Sequence, residues 1–279
     1  MGKILALLLF ILTAVTLWLF IGQNTWWFPE NISEHGKDID SQFNRTLWVV
    51  GIAFTGAQLA LGYAIWRFGR RGNERAVYTH GSNKLEATWT IITAGVFIAI
   101  AILGQQVWAR LHLYAAADDA VRIEVVGQQF QWNFHYPGPD NTFGRTSAEF
   151  IDDSSLNYVG LDPSDSAGKD DMQLTTLVIP AGRQVELTLR SKDVIHSLFI
   201  PHMRFKQDTV PGMAIKVHLT AREGTENRYE IPCAELCGQL HYNMKSPLLV
   251  VSREEYESMA QMTPAKFRER MAELSKQYE

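Results

Sequence analysis

The sequence predicts a membrane-anchored all-β protein, in which two or three N-terminal transmembrane helices precede an exported β domain and a short C-terminal helical tail. Three observations support this fold class. The first 110 residues contain three long apolar stretches, short β-like runs begin at Val121, and a charged helix-like segment follows Ser252. The 279 residues have a formal net charge of −4, which gives no sign of nucleic-acid binding.

The apolar stretches are Ile4–Gly22, Leu47–Trp66 and Ile91–Trp108, and none of them contains Asp, Glu, Lys or Arg. Each has about the 20 residues that a helix needs to cross the hydrocarbon layer of a bilayer. We therefore predict a transmembrane hairpin over residues 47–110, with a cytoplasmic loop between its helices. Residues 23–46 are predicted to form a periplasmic linker.

The first apolar stretch has two interpretations. Lys3 followed by a long apolar run also fits a secretory signal. However, the segment that follows, FIGQNTWWFP, offers no A-x-A-like cleavage site, and the run is longer than the usual core of a signal. We therefore expect residues 1–22 to remain as a third membrane helix.

The charges between the stretches predict the orientation. The segment between the second and third stretches is basic, whereas the segment after the first stretch is mainly acidic. Because basic loops stay in the cytoplasm, the third helix runs outward and the chain after about Arg110 lies outside. The basic residues are Arg67, Arg70, Arg71, Arg75 and Lys84.

The exported part contains eight short runs rich in Val, Ile, Thr and aromatic residues, several of them separated by turn residues. No helical pattern intervenes, so residues 115–252 are predicted to form an antiparallel sandwich or barrel. The polar segment from 141 to 171, which we call the acidic loop, is long for a compact domain and is therefore typical of a functional or irregular segment. Residues 253–279 are predicted to form the helical tail.

Both cysteines lie in one short segment, CAELCGQLHYNM, together with a histidine and a methionine. An exported pair of cysteines forms a disulfide by default. The four side chains would also align on one face of a helix, but the glycine inside the segment and the prolines on both sides disfavour a long regular helix. Zinc is a third possibility, although a structural zinc site has little use for a thioether. The four residues are Cys233, Cys237, His241 and Met244.

Copper fits these donors better than zinc does. Thiolate and thioether donors beside imidazole, on a β scaffold, are typical of copper electron-transfer sites. A single blue copper needs one cysteine, so two cysteines four residues apart indicate a pair of copper ions. A second imidazole must come from elsewhere in the exported domain. The candidates are His135, His196, His202 and His218.

The segment, together with DVIHSLFIP upstream, resembles the CuA domain of subunit II of haem–copper cytochrome c oxidases. The resemblance covers most of the chain after about Leu47. It implies a cupredoxin-like Greek-key β-barrel behind the membrane helices, and it selects His196 as the second imidazole. The matching motif reads Cys233-x-Glu235-x-Cys237-x3-His241-x2-Met244.

The resemblance also implies a role for each ligand. Cys233 and Cys237 would both bridge two copper ions, His196 and His241 would each supply one nitrogen, and Met244 would supply sulfur. Glu235 would act twice. Its backbone carbonyl would bind copper, and its side chain would bind a magnesium or manganese ion shared with subunit I. Asp208 would lie near that second metal, and Asp193 would support the copper ligands.

The function implied is that of the electron-entry subunit of a terminal oxidase in the bacterial inner membrane. Its partners would be subunits I and III and cytochrome c or a similar haem donor. Electrons would pass from the copper pair to haem in subunit I, where oxygen is reduced to water with proton pumping. In the segment KLEATWTI, Glu86 would stand at the mouth of a proton pathway.

One departure from the family pattern concerns electron entry. Relatives typically have a tryptophan at the place of Phe130, and only Trp132 is retained. Either Trp132, Tyr136 or another surface group would then receive the electron, or the donor docks differently. Acids of the acidic loop could steer a basic donor. The alternatives are a quinol oxidase subunit, which would lack the copper ligands, and a copper-carrying or assembly protein.

Overall fold

A computed structural model describes residues 2–22, 28–69, 78 and 80–278. The chain divides into two compact units. The first comprises Met1–Pro29 and Asp38–Trp108, and the second comprises Glu30–Lys37 and Ala109–Glu279. The predicted cytoplasmic loop falls largely outside the described residues, including Arg70, Arg71 and Arg75.

The first unit consists of helices. Three helices of the described chain are long and apolar enough to cross a membrane: α1 (Gly2–Gly22), α2 (Gly36–Phe68) and α3 (Asn83–His112). Helix α2 begins at Gly36 rather than at Leu47, because hydropathy marks only the part of a helix that faces lipid and misses its polar first turns.

Helices α1 and α2 pack closely at a glycine. A Cβ atom at Gly62 of α2 would lie 2.3 Å from Cε1 of Phe10 in α1, so only glycine leaves room for this ring. Ala6 and Thr13 of α1 are also buried. Small residues at contacts of this kind let transmembrane helices approach each other.

The second unit is built from ten strands within the described residues. A five-stranded sheet has the order β3-β2-β1-β5-β8, a three-stranded sheet has the order β4-β10-β9, and β6 and β7 form a separate hairpin. The strands are β1 (Val121–Gln128), β2 (Gln131–Tyr136), β3 (Met172–Leu174), β4 (Leu177–Pro180), β5 (Gln184–Ser191), β6 (His196–Ile200), β7 (Phe205–Thr209), β8 (Ile215–Thr220), β9 (Asn227–Pro232) and β10 (Lys245–Val251).

The membrane-anchored all-β class is confirmed, but the sheets differ from the prediction in two ways. Strand β1 pairs with β5 in parallel, as β10 does with β4, so the sheets are mixed rather than antiparallel. The described strands also do not close into one hydrogen-bonded barrel. Parallel partners are distant in sequence, and no turn signal marks them.

The C-terminal tail forms two helices, α4 (Arg253–Ala260) and α5 (Pro264–Gln277). Ser252 caps α4, because its side chain accepts a hydrogen bond from the Glu255 amide. Four apolar residues of these helices are buried in the core of the β unit, so the tail is an integral part of the domain. They are Tyr256, Met259, Phe267 and Leu274.

A short segment before α2 also belongs to the β unit. The amide of Ile32 donates to the carbonyl of His202 (2.8 Å), and the amide of Arg222 donates to the carbonyl of Ile32 (2.7 Å). The hydroxyl of Ser33 donates to the carbonyl of Met203 (2.8 Å). Residues of the predicted periplasmic linker are thus held against the connection between β6 and β7.

Candidate metal centre

The two cysteines lie in the connection between β9 and β10, from 233 to 244, which we call the metal loop. Its ends are held together, because the amide of Cys233 donates to the carbonyl of Met244 (2.9 Å). The next amide, of Ala234, donates to the carbonyl of Ser197 in β6 (3.0 Å). The backbone therefore places the start of the metal loop beside the strand that begins with His196.

The soft donors converge within this loop. The two cysteines are free, and their sulfur atoms lie 4.0 Å apart, so the disulfide expected by default is not formed. Nδ1 of His196 lies 4.0 Å from Sγ of Cys233, and Nδ1 of His241 lies 3.6 Å from Sγ of Cys237. Each sulfur atom thus has an imidazole nitrogen beside it.

Two further donors complete the group. Sδ of Met244 lies 3.7 Å from Sγ of Cys237, and the carbonyl oxygen of Glu235 lies 3.3 Å from Sγ of Cys233. The structure therefore brings together all six positions of the motif. Ligand atoms of His196, Cys233 and Cys237 lie within 4.8 Å of one another, as a shared metal ion requires.

A carboxylate fixes the orientation of His196. Nε2 of this buried ring lies 2.8 Å from Oδ1 of Asp193, so Nε2 is the donor and Nδ1 faces the cysteines. Burial acts to lower the pKa of His196, but contacts with Cys233 and Asp193 outweigh it and raise the pKa.

The other candidate imidazoles lie elsewhere. The ring of His135 is bonded to Glu124 and Asp171, that of His202 packs on Tyr229 with centroids 4.9 Å apart, and that of His218 contacts Gln184. Among the four imidazoles that the sequence left open, His196 is thus the one beside the thiols.

The two thiols have different electrostatic surroundings. Burial acts to raise both pKa values. At Cys233, hydrogen bonds with His196 and with the backbone outweigh burial and lower the pKa. At Cys237, burial and the neighbouring Cys233 raise the pKa. Two thiolates this close repel each other unless a cation lies between them, and metal binding requires both to be deprotonated.

The donor set fits copper. Two thiolates, a thioether and two imidazoles are soft or borderline ligands, and the cysteines and Met244 are buried in the domain core. A structural zinc site would use four ligands in a tetrahedron, with no place for the thioether or the carbonyl oxygen.

The two aromatic residues predicted for electron entry have different positions. Trp132 is fully buried, and its ring meets that of His196 edge-on with centroids 5.9 Å apart. Phe130 is only partly buried, against the edge of the core. Trp132 therefore cannot itself contact a docked protein, because no part of it reaches the surface.

The remaining predicted residues lie around the site or away from it. Oδ1 of Asp208 accepts a hydrogen bond from the hydroxyl of Ser197 (2.7 Å), next to His196. Glu235 is exposed, and its backbone carbonyl, rather than its carboxylate, contacts Cys233. Glu86 lies in the first turn of α3, in the helical unit.

Several acids of the acidic loop are used inside the domain. Asp162 and Asp165 pair with Arg145, and Asp171 pairs with the buried His135. Three acids of this loop are exposed, Glu149, Asp152 and Asp153, and the last of them also pairs with Lys192.

Two residues at the site were not found from the sequence. A Cβ atom at Gly127 would lie 2.9 Å from Cδ2 of His196 and 3.0 Å from Cζ3 of Trp132. A glycine inside a strand is a weak signal of such a close approach. Gln129 contacts the metal loop, and nothing in a single sequence distinguishes it from other polar turn residues.

Comparisons with known proteins agree with this architecture. Residues 121–252 match the family model for the periplasmic domain of cytochrome c oxidase subunit II, and residues 21–107 match the model for its transmembrane domain. The alternative cytochrome c oxidase subunit 2 of Bradyrhizobium diazoefficiens is 35% identical over 262 residues, covering 92% of this chain and 90% of the relative.

Two further matches are also to subunit II of cytochrome oxidases. The cytochrome c oxidase subunit 2 of Synechocystis is 28% identical, covering 92% of this chain and 81% of the relative. The crystal structure of the periplasmic domain of subunit II (CoxB) of Bradyrhizobium japonicum is 22% identical, with a TM-score of 0.39. It covers 55% of this chain and 99% of that one.

Along the chain, the match to the transmembrane family model comes first and the match to the periplasmic family model follows it. The protein is thus an inner-membrane protein with its β domain on the periplasmic side. Its cysteine and histidine cluster is compatible with copper, and its family implies subunit I as a partner. The chain belongs to the family of cytochrome c oxidase subunit II, a component of haem–copper oxidases.

Proposed function

We propose that this chain is the electron-entry subunit of its oxidase. Electrons from cytochrome c, or from a similar haem donor, enter at a binuclear copper centre in the metal loop and pass to haem in subunit I. Oxygen is reduced there, with proton pumping. One observation supports this most directly: the sulfur atoms of Cys233 and Cys237 lie 4.0 Å apart, each with an imidazole Nδ1 beside it.

Each donor has a defined part in this proposal. Cys233 and Cys237 would hold the copper pair with their thiolates, and His196 and His241 would each supply one imidazole nitrogen. Sδ of Met244 lies 3.7 Å from Sγ of Cys237 and the Glu235 carbonyl lies 3.3 Å from Sγ of Cys233, so both would add to the donors around the copper pair. When bound, the copper pair supplies a one-electron couple shared between two ions.

The protein contributes rigidity. The base of the metal loop is hydrogen-bonded at Cys233 and Ala234, and the bridging sulfurs are buried. We expect ligands held in this way, with their sulfur atoms shielded from water, to need little rearrangement when the charge changes by one electron. This is electrostatic preorganisation applied to electron transfer.

A second metal is proposed at the surface of the loop. The exposed carboxylate of Glu235 is a hard oxygen donor, which suits magnesium or manganese rather than copper. We expect it to share such an ion with subunit I. Asp208, whose Oδ1 accepts a hydrogen bond from Ser197, is proposed to act on that ion through water.

Proton uptake and donor docking involve other parts of the chain. Glu86, in the first turn of α3, is proposed as the entrance of a proton pathway that continues in subunit I. The exposed acids Glu149, Asp152 and Asp153 would attract a basic donor, chiefly by raising the rate of encounter. Subunit III is expected as a further partner.

The test uses the assembled oxidase. A Cys237→Ser variant should lose oxidation of reduced cytochrome c, because one bridging thiolate is missing. Oxygen uptake with a small artificial reductant that reaches the haem of subunit I directly should remain. Lys245→Ala, next to the loop and exposed, is the control. Full cytochrome c oxidation by the Cys237→Ser variant would exclude the proposed entry route.

A further inference from the structure

In the turn between β1 and β2, Gln129 is hydrogen-bonded to the metal loop. The backbone amide of Gln129 donates to Oδ2 of Asp193 (2.8 Å). Its side-chain amide Nε2 donates to the carbonyl oxygen of Cys237 (2.5 Å). Gln129 is thus hydrogen-bonded both to the metal loop and to the connection between β5 and β6.

The first of these bonds reaches an imidazole ligand. Asp193 uses its Oδ2 for Gln129 and its Oδ1 for Nε2 of His196 (2.8 Å). Both oxygens of the Asp193 carboxylate are therefore hydrogen-bonded, and the carboxylate in turn orients the ring of His196. Partners of this kind set the orientation of metal-binding histidines.

The second bond reaches a thiolate ligand, and a glycine makes the approach possible. Gly238 follows Cys237 and has φ +137°. A Cβ atom at this position would lie 2.8 Å from Nε2 of Gln129 and 3.0 Å from Cε1 of Phe130. Any other residue would push the turn away from the loop, so the contact depends on the absence of a side chain here.

We propose that Gln129 is a positioning residue of the metal centre, which ties the loop bearing Cys237 to the connection bearing His196 and so sets the relative position of the two ligand groups. The inference rests on the proposed function only in taking copper as the positioned ion. The hydrogen bonds exist within the chain itself, so their effect on the loop is measurable without metal.

Two substitutions separate hydrogen bonding from packing. Gln129→Leu removes the side-chain donor at nearly constant size. Gln129→Glu keeps the shape but places an acceptor against the Cys237 carbonyl. The same changes at Gln131 are matched controls, because that side chain donates to Oδ1 of Asn133 (2.9 Å) along its own strand. Heat denaturation of the full-length chain in detergent verifies that each variant is folded.

The metal-free measurement is hydrogen exchange of the loop amides at His241, Asn243 and Met244, all of which are hydrogen-bonded within the loop. In both Gln129 variants these amides should exchange roughly 3- to 10-fold faster than in the wild type. This acceleration is the one expected when the loop loses one net hydrogen bond. The Gln131 variants should match the wild type. Unchanged exchange in folded Gln129→Glu would overturn the proposal, even if Gln129→Leu failed to fold.

Loading the chain with copper alone gives the second measurement. Folded Gln129 variants should show an altered hyperfine pattern in the EPR spectrum and faster copper loss to a chelator. A spectrum and a loss rate identical to those of wild type would also overturn the positioning role. Failure of the wild type to give a binuclear copper spectrum would count against the proposed function alone, because the exchange measurement contains no metal.

Discussion

Nε2 of His196 lies 2.8 Å from Oδ1 of Asp193, and this contact determines which nitrogen of the ring is turned towards Cys233. The carboxylate also accepts hydrogen bonds from the amides of Gln129 and Val194. These bonds lower the pKa of Asp193 against the opposing effect of burial, so it remains a carboxylate. The orientation of one imidazole thus depends on an acid three residues earlier in the chain.

Removing this acid should weaken metal binding. Asp193→Ala leaves His196 free to rotate, and copper affinity should fall about 10- to 100-fold, as is typical when a partner of a metal-bound histidine is lost. Competition with a chelator measures the change. Asp118→Ala, at an exposed position outside the site, is the control. An affinity equal to wild type would show that Asp193 does not orient the ring.

A methyl group at Gly127 should also disturb the ring of His196. In Gly127→Ala the added carbon would lie closer to the rings of His196 and Trp132 than van der Waals contact allows. One of the two rings must therefore shift. We expect a loss of about 1–3 kcal/mol in stability, the usual cost of overpacking, and weaker copper binding. Heat denaturation and copper titration test both. Gly51→Ala, where nothing lies within 4 Å, should not lower the stability and should leave copper binding unchanged.

The acidic loop should be held most firmly in mildly acidic solution. The buried ring of His135 has Glu124 at 2.8 Å and Asp171 at 2.7 Å, one on each nitrogen, and Arg190 lies 3.3 Å from Glu124. Burial acts to lower the pKa of His135, but the two carboxylates outweigh it and raise the pKa. At Glu124, burial acts to raise the pKa, but His135 and Arg190 outweigh it and lower the pKa.

The sign of the pH dependence follows from these directions. The His135 contribution is fully present below its unfolded pKa of about 6.5 and is lost as pH rises through the folded value. The Glu124 contribution is present above about 4.3 and is lost as pH falls. Hydrogen exchange of residues 141–171, corrected for intrinsic rates, should therefore accelerate as pH rises above about 6.5 and through the raised pKa of His135.

A substitution isolates this contribution. His135→Gln should open the loop even in mildly acidic solution, with a cost of about 3 kcal/mol for leaving the buried Asp171 carboxylate without its ion pair, and should flatten the rise with pH. His218→Gln, at a half-buried ring bonded to Gln184, is the control. The same pH profile in wild type and in His135→Gln would show that the ring is not responsible.

Electron entry should separate into a surface step and a buried step. Phe130 is partly exposed near the metal loop, so Phe130→Trp should speed electron transfer from cytochrome c. Trp132 is fully buried against His196, so Trp132→Phe should lower kcat and leave KM unchanged, because it alters no surface contact. Steady-state cytochrome c oxidation gives both constants. A change in KM alone for Trp132→Phe would contradict this assignment.

The broad fold could be predicted from the sequence because each part leaves a local pattern. Apolar length marks α1 to α3, and β-branched and aromatic runs mark most strands. Strand β7 (Phe205–Thr209) is not among the eight β-like runs found in the sequence, because the residues at its centre, KQD, are polar or charged. The parallel pairing of Val121 with Val185 could not be foreseen either, because it joins residues far apart in the chain.

The metal donors could be predicted because their identities and spacing are local. Cys233, Cys237, His241 and Met244 lie in one loop, and the resemblance selected His196. Asp193 was also expected beside the ligands, but the roles of Gln129 and Gly127 could not be predicted, because they depend on three-dimensional neighbours. Gln129 approaches Cys237 only after β1 and β2 have folded back, and the burial of Trp132 depends on the packing of the whole core.

The central claim, a binuclear copper centre in the metal loop, is tested most directly by the EPR spectrum of the full-length chain loaded with copper. Cys233 and Cys237 as shared ligands predict two equivalent ions with one unpaired electron, and hence a seven-line hyperfine pattern. A four-line pattern from a single copper ion, or no uptake of copper, would contradict the account.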